Sequence, residues 1–314
     1  MTNIIEFKGV GKVYQANKRV LEDLNLTIQE GEFFVLVGPS GSGKTTSLKM
    51  VNGLTEPTEG DVYFKGKRIK DHDIEKMRWN MGYVLQKIAL FPTMNVSENI
   101  DVIPEMIGWS KEKRRARIDE LLDLVGLDPA TYRDRPVDAL SGGEQQRIGI
   151  LRAIAAEPDI ILMDEPFSAL DPISRNNLQD LVVDIHKRLK TTVLFVTHDM
   201  DEAVKLADRI GIMDQGRLIQ VDTAEEILSN PENQVVASLF NQEKRDVFGL
   251  NIFRKGIQPR QADDQTDYPK LPVSSSQKDL FALLADHETV EITENTESLG
   301  LLNRSVVFGR LKEN

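Results

Sequence analysis

The sequence of 314 residues contains no cysteine, which excludes disulfide bonds and cysteine-ligated metal sites. No apolar run approaches the roughly 18 residues that a membrane span needs, and the first residues lack a secretory signal pattern. Any membrane role would therefore come through a partner. Basic residues are also scarce, since 39 Lys and Arg against 50 Asp and Glu give a net charge of -11. Because nucleic-acid-binding proteins usually carry basic faces, we expect no nucleic-acid partner.

The residues that are present suit a globular chain with one large domain and a smaller unit, at 40% hydrophobic and 28% charged. Over the first 240 residues, short apolar runs alternate with helix-like stretches. The helix predicted over 110–125 begins at Ser110 and carries apolar residues at helical spacing. This alternation predicts an α/β fold with a largely parallel sheet flanked by helices. Its buried strands are predicted at 33–37, 160–163 and 193–196.

A glycine-rich segment, residues 38–45, follows the first buried run and has the pattern G-x-x-x-x-G-K-[ST]. Glycines allow backbone N–H groups to surround a phosphate, and the start of a helix favours an anion. We expect Lys44 to reach the β- and γ-phosphates of a nucleotide and the Thr45 hydroxyl to bind Mg²⁺. The strand before the segment and the helix after it argue against a chance glycine-rich turn. The predicted ATP-binding residues here are Gly38, Pro39, Ser40, Gly41, Ser42, Gly43, Lys44, Thr45 and Thr46.

Three polar residues follow the other two buried strands, where ligands of open α/β sheets collect. Asp164 and Glu165 end the run 160–163, and His198 follows the run 193–196. We predict that Asp164 helps to hold Mg²⁺ and that Glu165 polarises the attacking water. His198 is predicted to sense the γ-phosphate. Taken singly, such an acidic pair is usually a solvated turn and such a histidine is usually structural.

The run Leu140–Arg147, LSGGEQQR, resembles the signature motif of the ABC transporter ATPases. Three further features resemble elements of that family in the expected order. Tyr14 resembles the aromatic residue that stacks on adenine, Gln86 the Q-loop glutamine, and the run 168–171, which ends at Asp171, the D-loop. The resemblance covers about residues 4–240. Glu144 departs from it, because many members have Gln at that position.

The resemblance implies a P-loop NTPase fold of the ABC cassette type. Such a cassette has a RecA-like, mostly parallel core, an antiparallel β subdomain and a helical signature subdomain. It also implies a head-to-tail homodimer, in which the signature residues of one subunit cap the ATP of the other. Gln86 would contact Mg²⁺ and the groove that receives the permease. Singly, Tyr14 could be a core tyrosine, Gln86 a loop cap and Ser141 a helix start. The residues implied to cap the partner's ATP are Ser141, Gly142, Gly143 and Glu144.

The surroundings of Gln86 carry a narrower resemblance, to importers of glycine betaine, carnitine and choline. The residues concerned are 83–92, 103–105, 108–109 and 50–54. The resemblance implies the cytoplasmic face of the membrane, integral permease subunits and, indirectly, an extracytoplasmic substrate-binding protein. Amino-acid or methionine importers remain alternatives, as does a soluble ABC ATPase that does not act in transport.

The tail after residue 240 differs in composition. Residues 241–269 are predicted to form a linker, and the stretch 262–276, rich in Asp, Pro, Ser and Gln, is also interpreted as linker. A small α+β extension follows at 270–314, with a helix predicted over 277–285 and a strand over 289–292. It resembles one divergent CBS repeat, and the alternative is an extension without a ligand.

Overall fold

The computed structural model describes residues 2–14, 18–86, 89–168, 170–239, 257–260, 266, 268–273, 275, 277–294 and 297–307. These residues fall into two compact units, 1–232 and 233–314. In the described ranges, no helix combines the length and the apolar character that crossing a membrane requires. Most of the predicted linker 241–269 lies outside the described residues.

The first unit alternates strands and helices, as predicted. Its strands are β1 Asn3–Tyr14, β2 Lys18–Gln29, β3 Phe33–Val37, β4 Glu59–Phe64, β5 Lys67–Arg68, β6 Met81–Val84, β7 Ile160–Asp164, β8 Thr192–Thr197, β9 Arg209–Asp214 and β10 Arg217–Asp222. Its helices are α1 Lys44–Val51, α2 Ile74–Trp79, α3 Val96–Met106, α4 Lys111–Leu124, α5 Pro129–Tyr132, α6 Gly142–Ile154, α7 Pro172–Leu189, α8 Met200–Leu206 and α9 Ala224–Ser229. Two short 3₁₀ turns, Ile69–Asp71 and Val137–Ala139, complete the described elements.

Two sheets organise this unit. The six-stranded sheet has the order β10-β9-β3-β8-β7-β6, and every neighbouring pair is parallel except β10 and β9. The four-stranded sheet is antiparallel, in the order β2-β1-β4-β5. One apolar cluster contains residues of both sheets and of α1, so the two sheets share a core. Because β3, β7 and β8 are parallel, their carboxyl ends lie at one edge of the six-stranded sheet. The candidate site residues follow these ends.

The apolar runs of the sequence became the central strands because both of their faces are covered. Every residue of β3, β7 and β8 is buried, which is the pattern of a strand inside a parallel sheet. The predicted helix over 110–125 is confirmed as α4, with the Ser110 hydroxyl accepting a hydrogen bond from the backbone N–H of Lys113. Its neighbour α6 is held at its end by Arg117, whose guanidinium donates to the carbonyls of Ile154 and Ala155.

The second unit contains helix α10 (Gln234–Leu239) and a three-stranded sheet. The sheet has the order β11 (Lys270–Pro272), β12 (Thr289–Glu294) and β13 (Glu297–Asn303), with β11 parallel and β13 antiparallel to β12. Helix α11 (Gln277–Asp286) connects β11 to β12, and a helical turn follows at 304–307. Strand β11 corrects the interpretation of 262–276 as linker. Its three residues pair with β12, and Leu271 joins the apolar cluster of this unit, a contact that composition alone does not reveal.

Candidate functional site

The loop between β3 and α1 has a backbone shape that only glycine permits at two points. Gly38 has φ +153°, and a Cβ there would collide with the carbonyl oxygen of Met213. Gly43 has φ +104°, and a Cβ there would lie 2.5 Å from Cδ2 of Leu21. Both positions are therefore closed to other side chains, and the loop keeps its backbone amides close to the start of α1.

Two polar side chains of this loop are buried. Nζ of Lys44 donates to the carbonyl oxygens of Gly38 at 2.6 Å and Pro39 at 3.0 Å. Burial lowers the pKa of Lys44, although the carboxylates of Glu165 and Asp164 oppose that shift. The hydroxyl of Ser42 is buried without a hydrogen-bond partner among the described residues. A buried cation and an unpartnered hydroxyl in a turn of backbone amides are the donors that a phosphate chain requires.

Asp164, at the carboxyl end of β7, contacts the start of α1. Its Oδ1 accepts a hydrogen bond of 2.8 Å from the hydroxyl of Thr45. Burial raises the pKa of Asp164, while the bond from Thr45 and the charges of Lys49 and Lys44 lower it in part. A threonine hydroxyl beside a carboxylate is an oxygen pair that suits Mg²⁺, which commonly takes one or two carboxylates and completes its shell with phosphates and water. No described group of three or more His, Asp or Glu residues could itself hold a metal ion.

Glu165 is the centre of a second cluster. Its Oε2 accepts a hydrogen bond of 3.3 Å from Nε2 of Gln86 and lies 3.1 Å from Nδ1 of His198. The residue has φ +45°, a left-handed conformation that is rare outside glycine and is often retained at functional sites. Its backbone N–H donates to the carbonyl of Val196, so the turn is tied to the neighbouring strand β8. Three residues that lie far apart in the sequence thus meet at one carboxylate.

The support beneath His198 was not found from the sequence. The hydroxyl of Thr197 donates to Oε2 of Glu202 at 2.6 Å and accepts from the backbone N–H of Asp199 at 3.0 Å. Glu202 is buried on α8, and its burial raises its pKa.

Tyr83 is a second residue that the sequence analysis did not identify. Its hydroxyl is buried without a described partner, and burial together with the charge of Asp164 raises its pKa to about 12. Only burial distinguishes these residues from ordinary ones, and single-sequence patterns do not report it.

The signature residues form the start of α6. Ser141 caps the helix: its hydroxyl accepts from the backbone N–H of Glu144 at 3.3 Å, and Oε2 of Glu144 accepts from the backbone N–H of Ser141 at 2.8 Å. Oε1 of Glu144 accepts a 2.6 Å bond from the hydroxyl of Tyr132. These donors lower the pKa of Glu144 to about 2, the Tyr132 hydroxyl most strongly.

The two glycines of the signature have open space on their outer side. A Cβ at Gly142 would meet no atom within 4 Å, and at Gly143 only Oγ of Ser174, at 3.9 Å. Nothing in the described part of this chain therefore requires glycine at either position. They line a concave surface together with Asp171, whose carboxylate caps α7 by accepting from the backbone N–H groups of Ile173 and Ser174.

The predicted residues do not all meet within one chain. Among the described residues, no hydrogen bond or ion pair joins Ser141, Gly142 or Gly143 to the 38–45 loop or to Glu165. One contact does connect α6 to the acidic turn, because Nε2 of the buried Gln146 donates to the carbonyl of Pro166 at 2.7 Å. Tyr14 is 45% exposed at the end of β1, in the hairpin whose second strand contacts Gly43 through Leu21. The ring of Tyr14, with Nζ of Lys12 at 5.0 Å from its centre, is thus partly exposed in the hairpin that borders the loop.

Similarity to known proteins identifies the family of this chain. The ABC transporter family matches residues 21–168. The glycine betaine/carnitine/choline transport ATP-binding protein of Bacillus subtilis (strain 168) is 48% identical over 241 residues, covering 77% of this chain and 63% of that protein. The chain therefore spans less than two thirds of that relative's length.

Two further comparisons cover more of the other protein. The osmoprotectant import ATP-binding protein of Salmonella typhimurium (strain LT2) is 42% identical over 289 residues, covering 91% of this chain and 74% of that protein. A solved ATP-binding cassette, a dimer in a post-hydrolysis state bound to ADP and Pi, is 34% identical with a TM-score of 0.63. The alignment covers 70% of this chain and 98% of the solved chain. The ABC ATPase cassette fold predicted from the sequence is confirmed.

Proposed function

Because this chain belongs to the family of ATP-binding proteins of ABC transporters, we propose that it is the ATP-hydrolysing subunit of an importer. The cargo is an osmoprotectant quaternary amine, such as glycine betaine, carnitine or choline, which passes through a membrane permease. The observation that carries the enzymatic part is the convergence on Glu165 of Gln86 and His198, close to the buried Lys44 and Asp164.

The chemistry assigned to the site needs ATP and Mg²⁺. Backbone amides of the 38–45 loop and Lys44 bind the phosphates, while Thr45, Asp164 and Gln86 are the residues proposed to hold the ion, which would neutralise charge on the phosphates. Glu165 accepts a proton from, and orients, the attacking water. His198, tied to the same carboxylate, is positioned to contact the γ-phosphate. Tyr14 offers an aromatic face to the adenine ring.

A homodimer completes the site. Gly142 and Gly143 have outer sides that the described residues of the chain leave open, and the amino end of α6 favours an anion. We assign this open surface to the γ-phosphate of the partner subunit's ATP, with Ser141 and Glu144 beside it and Asp171 at the same concave face. A Cβ at either glycine would occupy that space. The dimeric cassette that this chain resembles supports such a pairing.

The permease partner has a candidate docking groove next to Gln86. Leu85 and Phe91 flank that glutamine and remain 38% and 45% exposed. The groove is also lined by Trp79 and Ile103. Asn99 fixes Phe91 in place, since its side chain accepts from the backbone N–H of Phe91 and donates to the carbonyl of the same residue. An exposed apolar groove joined to Glu165 through one glutamine would transmit nucleotide state to the permease. On this proposal the chain is peripheral, at the cytoplasmic face, and meets the extracytoplasmic substrate-binding protein only through the permease.

The C-terminal unit is proposed to be a regulatory, CBS-like module that begins near residue 270, after a cassette of residues 1–240 and the linker 241–269. Its order of strand, helix, two strands and helical turn supports the assignment, as does the antiparallel pair β12 and β13. The Salmonella relative aligns over 91% of this chain, which extends beyond the first unit.

Uptake of radiolabelled glycine betaine in salt-stressed cells lacking the gene tests the whole proposal. Complementation with the native chain should restore uptake, whereas Glu165→Gln should not, although it still binds ATP. If the native chain restores uptake of an amino acid and leaves glycine betaine uptake unchanged, the transport role stands and the cargo is an amino acid. If the purified chain neither hydrolyses ATP nor co-purifies with a permease, the transport role is wrong.

A further inference from the structure

Tyr132 lies outside every motif considered so far, yet it contacts the signature. It ends the short helix α5, nine residues before Ser141, and its hydroxyl donates a 2.6 Å hydrogen bond to Oε1 of Glu144. The guanidinium of Arg135 lies 4.8 Å from the centre of its ring, which favours one orientation of the ring. Tyr132 also lines the concave surface shared by Ser141 and Gly143.

The carboxylate of Glu144 has both oxygens engaged. Oε1 accepts from Tyr132, and Oε2 accepts from the backbone N–H of Ser141. A glutamine would keep one acceptor oxygen, for the backbone N–H of Ser141, and would place a neutral NH2 group opposite Tyr132, so that the tyrosine hydroxyl could no longer donate to a charged acceptor there. The glutamate that departs from the common family motif is therefore matched to a tyrosine elsewhere in the same chain. Hydrogen bonds to an ionised acceptor are the stronger kind, so this pair fixes the side chain firmly.

We propose that Tyr132 is a positioning residue, which acts through Glu144 to hold the Ser141–Gly143 turn in the conformation that receives the partner subunit's ATP. This inference rests on the proposed head-to-tail dimer. The hydroxyl of Tyr132 holds Oε1 on the α5 side and leaves Oε2 to cap Ser141. Without that hydroxyl, the carboxylate is free to rotate towards the space above Gly143, where its charge would repel a phosphate.

The proposal predicts an effect on the partner's site and none on the subunit's own. Tyr132 acts on the signature, whereas ATP binding by a single subunit uses Lys44 and the 38–45 loop. Loss of the hydroxyl should therefore weaken ATP-dependent dimerisation while the ATP affinity of the monomer is unchanged. A general loss of structure would lower both, so the two readouts separate positioning from folding.

The experiment uses the full chain carrying Glu165→Gln as the reference, so that ATP is held and not consumed. Sedimentation velocity with Mg²⁺ and ATP gives the dimer Kd for the reference and for Tyr132→Phe. The control is Tyr63→Phe, because the Tyr63 hydroxyl on β4 has no hydrogen bond among the described residues. Each variant is repeated with Glu144→Ala, and monomer ATP affinity is measured at low protein concentration.

We expect Tyr132→Phe to raise the dimer Kd about tenfold, consistent with loss of a hydrogen bond to a charged group. Tyr63→Phe should match the reference, and Tyr132→Phe should add nothing once Glu144 is alanine. If Tyr132→Phe has the same dimer Kd as the reference, the inference is wrong but the proposed dimer stands. The same holds if Tyr132→Phe raises the dimer Kd as much in the Glu144→Ala background as it does in the reference. If Tyr132→Phe misfolds, Glu144→Ala tests the same contact from the other side and must itself weaken the dimer. A reference chain that stays monomeric with ATP overturns the dimer proposal, and the inference with it.

Discussion

Replacing Gly143 with alanine should stabilise the subunit and abolish the proposed ATPase activity. Gly143 lies in the first turn of α6 with an ordinary helical backbone, and its nearest neighbour beyond an added Cβ is Oγ of Ser174 at 3.9 Å. Alanine is favoured over glycine inside a helix by up to about 1 kcal/mol. For a unit of this size that corresponds to a rise in Tm of up to about 2–4 °C.

The loss of activity has a different origin. The added methyl group would occupy the surface that we assign to the partner subunit's γ-phosphate, so closure of the dimer is blocked. We expect ATPase activity to fall by about 100-fold or more, the scale of losing a transition-state contact. Gly149→Ala is the matched control, because Gly149 lies in the same helix and a Cβ there meets no atom within 4 Å.

Thermal melting and ATP hydrolysis of the two variants decide the matter. Gly149→Ala should show a comparable or larger gain in Tm and retain activity. If Gly143→Ala hydrolyses ATP as fast as the native chain, the open surface does not receive a nucleotide. If Gly143→Ala lowers Tm, an added Cβ at this position makes unfavourable contacts within the subunit.

Three further substitutions test other parts of the site. Glu165→Gln should keep ATP binding and lower turnover by about 10²–10⁴, the usual contribution of a general base; rapid hydrolysis by this variant in a steady-state assay would remove Glu165 from that role. Lys44→Ala should weaken ATP binding about 100-fold, since it removes a charged donor to phosphate, and unchanged affinity by calorimetry would contradict the phosphate-binding loop. Glu202→Gln tests the buried support. Because burial raises the pKa of Glu202 above its unfolded value, ionisation costs stability as the pH rises through that interval, and at low pH both states are protonated. The variant should therefore gain more in Tm over the native chain at pH 8 than at pH 4, and an equal difference at both pH values would refute the cause given for the shift.

The sequence predicted the central sheet well because its strands are buried on both faces. The runs that became β3, β7 and β8 differ by at most one residue at each end from the predicted bounds. The sequence was less informative about short strands at the edge of a sheet. Strand β11 has three residues and lies in a polar stretch, so its pairing with β12 had no periodic signal. The domain boundaries proposed at 240 and 269 remain predictions.

The candidate site was predictable where backbone shape and residue type act together. The glycines of the 38–45 loop and the residues that follow β7 and β8 stand at positions that chain order alone identifies. The supporting contacts were not predictable, because they join side chains across the fold. Tyr132 reaches Glu144 from another helix, and Glu202 is defined by burial beneath Thr197. The roles assigned to Tyr14, Gln86 and His198 remain predictions.

The bond from Gln146 to the carbonyl of Pro166 has a consequence for the proposed dimer. In that dimer one subunit would offer its signature to the partner's nucleotide and its glutamate to its own, and this buried amide ties the two surfaces together one residue after Glu165. A shift of α6 as the partner's ATP is engaged must move or strain the turn that carries Glu165. Each half of the dimer would then report its neighbour's occupancy to its own reaction centre. Hydrolysis should consequently depend on ATP concentration with a Hill coefficient above one, and Gln146→Ala should bring it towards one.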